Sequence, residues 1–177
     1  MSLFDFLFPR RQEDQPVPSW ETETVRKIVD ALEHMEPERA RYLAAFGYVL
    51  SRVARADLKV TAEETRAMER ILVEHGDLTG EQAALVVEMA KHQNLLFGAT
   101  ENFLVTREFN RISTREQKLA LLDCLFSVAA AEGLVTSEED YEIRRVASEL
   151  GLSHAEFIAT RSRYRDRLSI LRRPPAP

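Results

Sequence analysis

The chain has 177 residues, a formal net charge of −5, 45% hydrophobic and 30% charged residues, which is the balance of a soluble globular domain with room for a sizeable core. That acidic balance argues against nucleic-acid binding, which leaves a basic footprint, and the single cysteine, Cys124, excludes an internal disulfide. No apolar run approaches the roughly 18 residues of a spanning helix, and Leu3–Phe8 is too short and lacks the basic lead-in of a secretory signal, so a cytoplasmic location is expected.

The six glycines are scattered and most prolines sit near the two ends, leaving long stretches without breakers that suit helices. Residues 1–18 read as an apolar segment, Leu3 to Phe8, followed by a polar, proline-containing linker. Ser19 is the expected N-cap of a helix to about His34, with Val25, Ile28, Val29 and Leu32 on one face. Pro37 suits the first turn of the next helix, which runs to about Ala56. Leu43, Phe46, Leu50 and Val53 form its apolar row, and Tyr42, Ala45 and Val49 widen it to the surface of a central helix.

A further helix carries Ala67, Met68, Ile71 and Leu72 inward and ends at His75-Gly76, with Gly76 expected in the left-handed closing position. Thr79 or Gly80 starts a helix to about Leu95 with an apolar face of Leu85, Val86, Met89 and Ala90, and Thr100 to Ile112 reads as a connecting helix. Ser113-x-x-Glu116 and Thr114-x-x-Gln117 both fit a capping box, so a helix start is expected in one of two registers. That helix, Arg115 to Ala131, is apolar over most of its surface and should pair with the one ending at Ala56. Helices at about Ser137–Leu150 and Ser153–Leu168 follow, then a tail, 170–177, expected to be disordered.

The segment from Val53 to Leu72 recurs 75 positions later, from Val128 to Ala147, with eight identities in twenty positions. Leu50/Leu125, Gly76/Gly151 and Glu81/Glu156 match at the same offset. A doubled helical unit follows. The expected fold is all-α: a single domain over 19–169 of about seven to eight helices, built from two related three-helix units.

Each copy places an acid at a helix end, Asp57 or Glu132, and another seven residues on, Glu64 or Glu139. Thr61-x-x-Glu64 and Thr136-x-x-Glu139 fit the capping box, which accounts for the glutamates without a ligand. Asp57 and Glu132 sit where the helix dipole is negative, so helix formation does not account for them. Two readings stand: solvated loop acids bonding nearby N–H groups, or four carboxylates, Asp57, Glu64, Glu132 and Glu139, around a hard cation such as Ca²⁺ or Mg²⁺. The spacing excludes an EF-hand, because Lys59 and Thr61 stand where ligands are needed. There is no Glu-x-x-His for a di-iron bundle, no zinc motif, no phosphate-cradling Gly-rich loop and no serine elbow. Glu88 and His92 share a helix face and read as a surface pair, and Cys124 as an inert buried thiol. The last helix bears Arg161, Arg163, Arg165 and Arg167, ahead of Arg172 and Arg173. This run is either a solvated face or a patch for an anionic partner.

Ala54-Arg55-Ala56-Asp57 with Val60-Thr61-Ala62-Glu63-Glu64, echoed by Ala129-Ala130-Ala131-Glu132-Gly133 with Thr136-Ser137-Glu138-Glu139, resembles the TerB-like family. The resemblance covers about Pro37 to Leu168 and implies an all-α, non-enzymatic module tied to tellurite or stress resistance and to membrane-associated complexes. It also implies divalent-metal binding by Asp57, Glu64, Glu132 and Glu139. Protein partners, a homodimer and a peripheral membrane contact through Leu3–Phe8 and the arginines are the expected associations. A carboxylate–metal hydrolase built on the same four acids is the alternative from another class.

Overall fold

The computed structural model describes residues 19–53, 61–92, 102–131 and 133–171. Among them are α1 (Ser19–Glu33), α2 (Pro37–Val53), α3 (Ala62–His75), α4 (Gly80–Lys91), α5 (Asn102–Ile112), α6 (Arg115–Ala131), α7 (Ser137–Glu149) and α8 (His154–Ser162). Two 3-10 turns, Arg165–Arg167 and Ser169–Leu171, follow α8. The chain is all-α, as its periodicity predicts. The segments 1–18, 54–60 and 172–177, and the stretch around Leu95, lie outside the described residues.

α2 is the hub of the first half and α6 of the second. α2 packs against α4, α5, α6 and α7, and α6 against α3, α7 and α8. Their sequences explain this. Tyr42, Leu43, Phe46, Val49 and Leu50 of α2 and Leu121, Leu122, Leu125, Phe126 and Val128 of α6 are all buried, so each helix is covered on several sides. Aromatic rings fill both centres. Tyr42 and Phe46 meet Phe109 of α5, while Phe126 stacks on Tyr164 with ring centroids 5.4 Å apart.

Capping boxes start α3, α4, α7 and α8, at Thr61, Thr79, Thr136 and Ser153. At α6 the register settles on Thr114, whose N–H reaches Gln117 Oε1 (2.8 Å) while Gln117 N–H returns to Thr114 Oγ1 (3.2 Å). The Ser113 hydroxyl is buried without a partner.

Two expectations are corrected. Gly76 is not left-handed. Its φ is −97°, and the left-handed residue is Asp77 at φ 53°. Glycine is needed at 76 for a different reason: a Cβ there would lie 2.6 Å from the Leu72 carbonyl oxygen and 3.2 Å from Cys124 Sγ, where α3 presses on α6. In the second unit α7 ends one residue earlier, and the left-handed place falls on Gly151, at φ 70°.

The last helix stops at Ser162 rather than continuing to Leu168. The chain tightens into i→i−3 bonds, Arg163 N–H to Thr160 and Tyr164 N–H to Arg161. It then runs back so that Leu168, fully buried, forms an isolated parallel bridge with Val135. Val135 N–H donates to the Arg167 carbonyl (2.8 Å) and Ser169 N–H to the Val135 carbonyl (3.0 Å). A continuous helix could not deliver both the Tyr164 ring to Phe126 and Leu168 to the core.

The two halves are joined by a buried ion cluster. The Arg52 side chain, 3% exposed in the last turn of α2, donates all five of its guanidinium N–H groups. Nε and Nη2 reach Glu142 Oε1 (2.8 and 2.6 Å), Nη1 reaches Thr106 Oγ1 and Glu149 Oε2 (2.6 Å each), and Nη2 reaches Glu149 Oε1 (3.3 Å). Burial pushes the Glu149 carboxyl up, but the Arg52 bonds outweigh it and hold the group below the usual carboxylate range.

Two outcomes follow for stability. Gly76→Ala should lower the unfolding free energy by about 1–3 kcal/mol in urea titrations, because the added methyl group overpacks the α3–α6 contact. Arg52→Ala leaves Glu142 and Glu149 with only the half-exposed Arg145 as a cation and should cost about 3 kcal/mol, the lower end for breaking a buried pair. The Glu149 contribution is present above the ordinary carboxylate pKa and is lost as pH falls through the lower folded value. Wild type should therefore lose more stability on acidification than Arg52→Ala, a difference that thermal melts across pH would measure.

Candidate functional sites: the acid-bearing loops and the Asp123 cleft

Glu64 and Glu139 occupy equivalent third positions of α3 and α7. Glu64 Oε2 accepts the Thr61 N–H (2.6 Å), and Glu64 N–H donates to Thr61 Oγ1 (3.2 Å). Glu139 Oε2 accepts both the Thr136 N–H (2.7 Å) and the Thr136 hydroxyl (2.9 Å). The Thr61 bonds hold the Glu64 carboxyl below the usual range. The two differ in exposure: Glu64 lies open, whereas Glu139 is 8% exposed. Among the described residues, the hydrogen bonds of both carboxylates fall on Oε2. Asp57 and Glu132 lie outside the described residues.

Arg52 bears on these loops. It stands one residue from the end of α2, five before Asp57, and its partner Glu142 stands three after Glu139. The end of the helix leading to the first loop is thereby tied to the helix that opens after the second. Ser127 occupies the position equivalent to Arg52 in α6 and is also a buried polar link, bonding the Tyr164 hydroxyl.

A second constellation lies between α3, α6 and α8. Asp123, its side chain 14% exposed, accepts His75 Nδ1–H at Oδ2 (2.6 Å) and both the Tyr164 hydroxyl (2.9 Å) and Arg163 Nη1 (3.3 Å) at Oδ1. A carboxylate only accepts, so Nδ1 carries the proton in this bond. Burial first, and then Asp123, raise the Tyr164 hydroxyl to about 12, so it stays protonated and donates. Asp123, His75 and Arg163 border a cleft of about 350 Å³ lined also by Glu74, Leu119, Ala120, Glu156, Ala159 and Thr160. The sequence carried one signal of it that periodicity passes over. Asp123 is a lone acid inside the apolar run Leu119 to Val128.

Other expectations sort as follows. The Glu88–His92 pair forms, but not on the surface: His92 is 7% exposed, its ring Nδ1 lies 3.7 Å from Glu88 Oε2, and Nδ1–H donates to the Glu88 carbonyl (2.9 Å). The arginine run divides. Arg161 makes a two-pronged bond to Asp140 (2.7 and 2.9 Å) and Arg163 joins Asp123, while Arg165 and Arg167 are exposed with no ion pair among the described residues. Among the described residues no helix is long and apolar enough to cross a membrane, and no three His, Cys, Asp or Glu side chains are grouped as metal ligands.

Cys124 is fully buried beneath Gly76, and burial pushes its thiol pKa far up. A disulfide reagent at about pH 8 should leave it unmodified in the native protein and label it fully once the chain is unfolded, as thiol release followed by absorbance would show.

No curated protein and no solved structure matches the chain. The family model described as tellurite resistance protein TerB matches residues 43–162, from the middle of α2 to the end of α8. The match spans both acid-bearing loops, the Arg52 cluster and the Asp123 cleft short of Arg163 and Tyr164, and the all-helical fold agrees with it. The chain belongs to the TerB family.

Proposed function

We propose that this TerB-family chain is a non-catalytic binding module whose acid-bearing loops hold a divalent cation of the Ca²⁺ or Mg²⁺ kind. Asp57, Glu64, Glu132 and Glu139 are the ligating carboxylates, and the module serves tellurite or stress resistance through protein partners. The observation that carries this reading is the Arg52–Glu142 tie, which fastens the helix entering the first loop to the helix that bears Glu139. The two described glutamates suit a hard cation. Each is a carboxylate whose capping bonds fall on one oxygen, so capping and ligation use different atoms. Capping also fixes each side chain in place before any ion arrives, which lowers the entropy lost on binding.

The cation would supply positive charge that lets four carboxylates sit together, and so would make the paired loops one rigid surface. Calorimetric titration of the wild type with CaCl₂ and MgCl₂ should give saturable heat and a raised melting temperature. Asp57→Asn/Glu132→Gln should weaken binding by about tenfold or more, the cost of losing two charged ligands. Absence of heat and of thermal shift in the wild type with both ions overturns the reading.

A further inference from the structure

The outward face of α3 is charged and unpaired. Met68 and Leu72 turn inward, where α3 packs on α4 and α6. Arg66, Glu69, Arg70, Val73 and Glu74 therefore fall on the opposite side, at the i, i+3, i+4, i+7 and i+8 spacing of one stripe. With Gly80 they line an open groove of about 410 Å³ beside the start of α4. Val73 is 45% exposed there, and a Cβ on Gly80 would meet nothing within 4 Å. Arg70 and Glu74 stand at the spacing of an intrahelical ion pair. Even so, none of the four charged side chains makes a hydrogen bond or ion pair among the described residues.

Charge order narrows the occupant. Arg66 and Arg70 balance Glu69 and Glu74, so the stripe has no net charge and favours neither an anionic nor a cationic surface. Read backwards, however, it is its own complement. Consider an antiparallel copy related by a two-fold axis that passes beside Val73, near residue 72. Residues equally far from the axis on its two sides then lie opposite, so Arg70 of each copy meets Glu74 of the other, and the pair forms twice. Val73 meets its own counterpart next to the axis, and so small a side chain lets the helix axes approach to the roughly 8–10 Å of packed helices. Arg66, a turn further out, faces the exposed Asp77 of the other copy. A parallel copy would instead set Arg70 on Arg70 and Glu74 on Glu74.

We infer that the outward face of α3 is the interface of a symmetric homodimer, formed by a second copy of this chain packed antiparallel across Val73. Arg70 and Glu74 of each copy fix the register by pairing with Glu74 and Arg70 of the other. One helix face offers less than the roughly 800 Å² per partner of a standard interface, so the dimer is weak, with a Kd of about 10–100 µM.

Sedimentation equilibrium of the full chain, from about 5 µM to about 500 µM and with EDTA present, tests this. A monomer–dimer equilibrium is expected for the wild type. Arg70→Glu and Glu74→Arg change exposed positions and should leave the melting temperature nearly unchanged. Each alone should weaken the dimer about tenfold or more, because the two-fold axis counts every reversed charge twice. Mixed one to one, the two variants should associate as tightly as the wild type, since each contact across the axis again joins unlike charges. The double variant Arg70→Glu/Glu74→Arg should regain the dimer for the same reason. The inference is overturned if the wild type stays monomeric over the whole range, which leaves the groove to a different partner. It is equally overturned if either single variant dimerises as tightly as the wild type, or if the mixed variants fail to associate. EDTA keeps divalent cations from the acid-bearing loops, so the outcome is separable from that of the calcium and magnesium titration.

Discussion

The Arg52 guanidinium decides how the two halves of this protein meet. A cation buried among helices is tolerated when every donor is satisfied and its charge is balanced, and here five N–H groups find four acceptor oxygens on Thr106, Glu142 and Glu149. Those acceptors come from α5 and α7, so one side chain of α2 sets the relative placement of three helices. Two flanking contacts support the arrangement: Arg145 approaches both glutamates, and Asn110 Nδ2 donates to the Glu149 carbonyl (3.2 Å). Apolar packing alone would let such helices slide against one another. A directional, fully paired charge cluster favours one register.

The second half solves the corresponding problem differently. At the position equivalent to Arg52, α6 carries Ser127, a small polar group that bonds the Tyr164 hydroxyl. Tyr164 in turn stacks on Phe126 and donates to Asp123. The polar element that binds α6 to its neighbours is thus shifted four residues up the helix, to Asp123, where it faces the ends of α3 and α8. A cleft lies where α6 and α8 meet α3, while the junction of α2 with α5 and α7 is closed by salt bridges. The duplicated unit keeps its helix order and its capping boxes and differs in where it spends its buried polar groups.

Much of this was legible in the chain itself. The apolar rows of α2 and α6, the paired Thr-x-x-Glu starts and the bounds of α6 all follow from period and capping chemistry, which act within a few residues. The helix ends were less legible. Gly76 and Gly151 align in sequence, yet one makes room for Cys124 and the other supplies a left-handed turn. Glycine serves either need, and a sequence does not say which. The early stop of α8 was hidden for a related reason: Leu168 leaves the helix because Val135, far away in sequence, offers it a bridge and a place in the core.

By itself, the sequence determined the all-α class, the duplication, the capping roles of Glu64 and Glu139 and the inertness of Cys124, because each depends on local spacing or on one residue's chemistry. Only the tertiary structure decided what Arg52, Asp123 and His75 do. Their partners lie on other helices, and a side chain's hydrogen-bond account can be closed only when all its neighbours are known. Arg52 and Asp123 look alike in the sequence, each a charge interrupting an apolar helix. The fold makes one of them a strut and the other the anchor of a cleft.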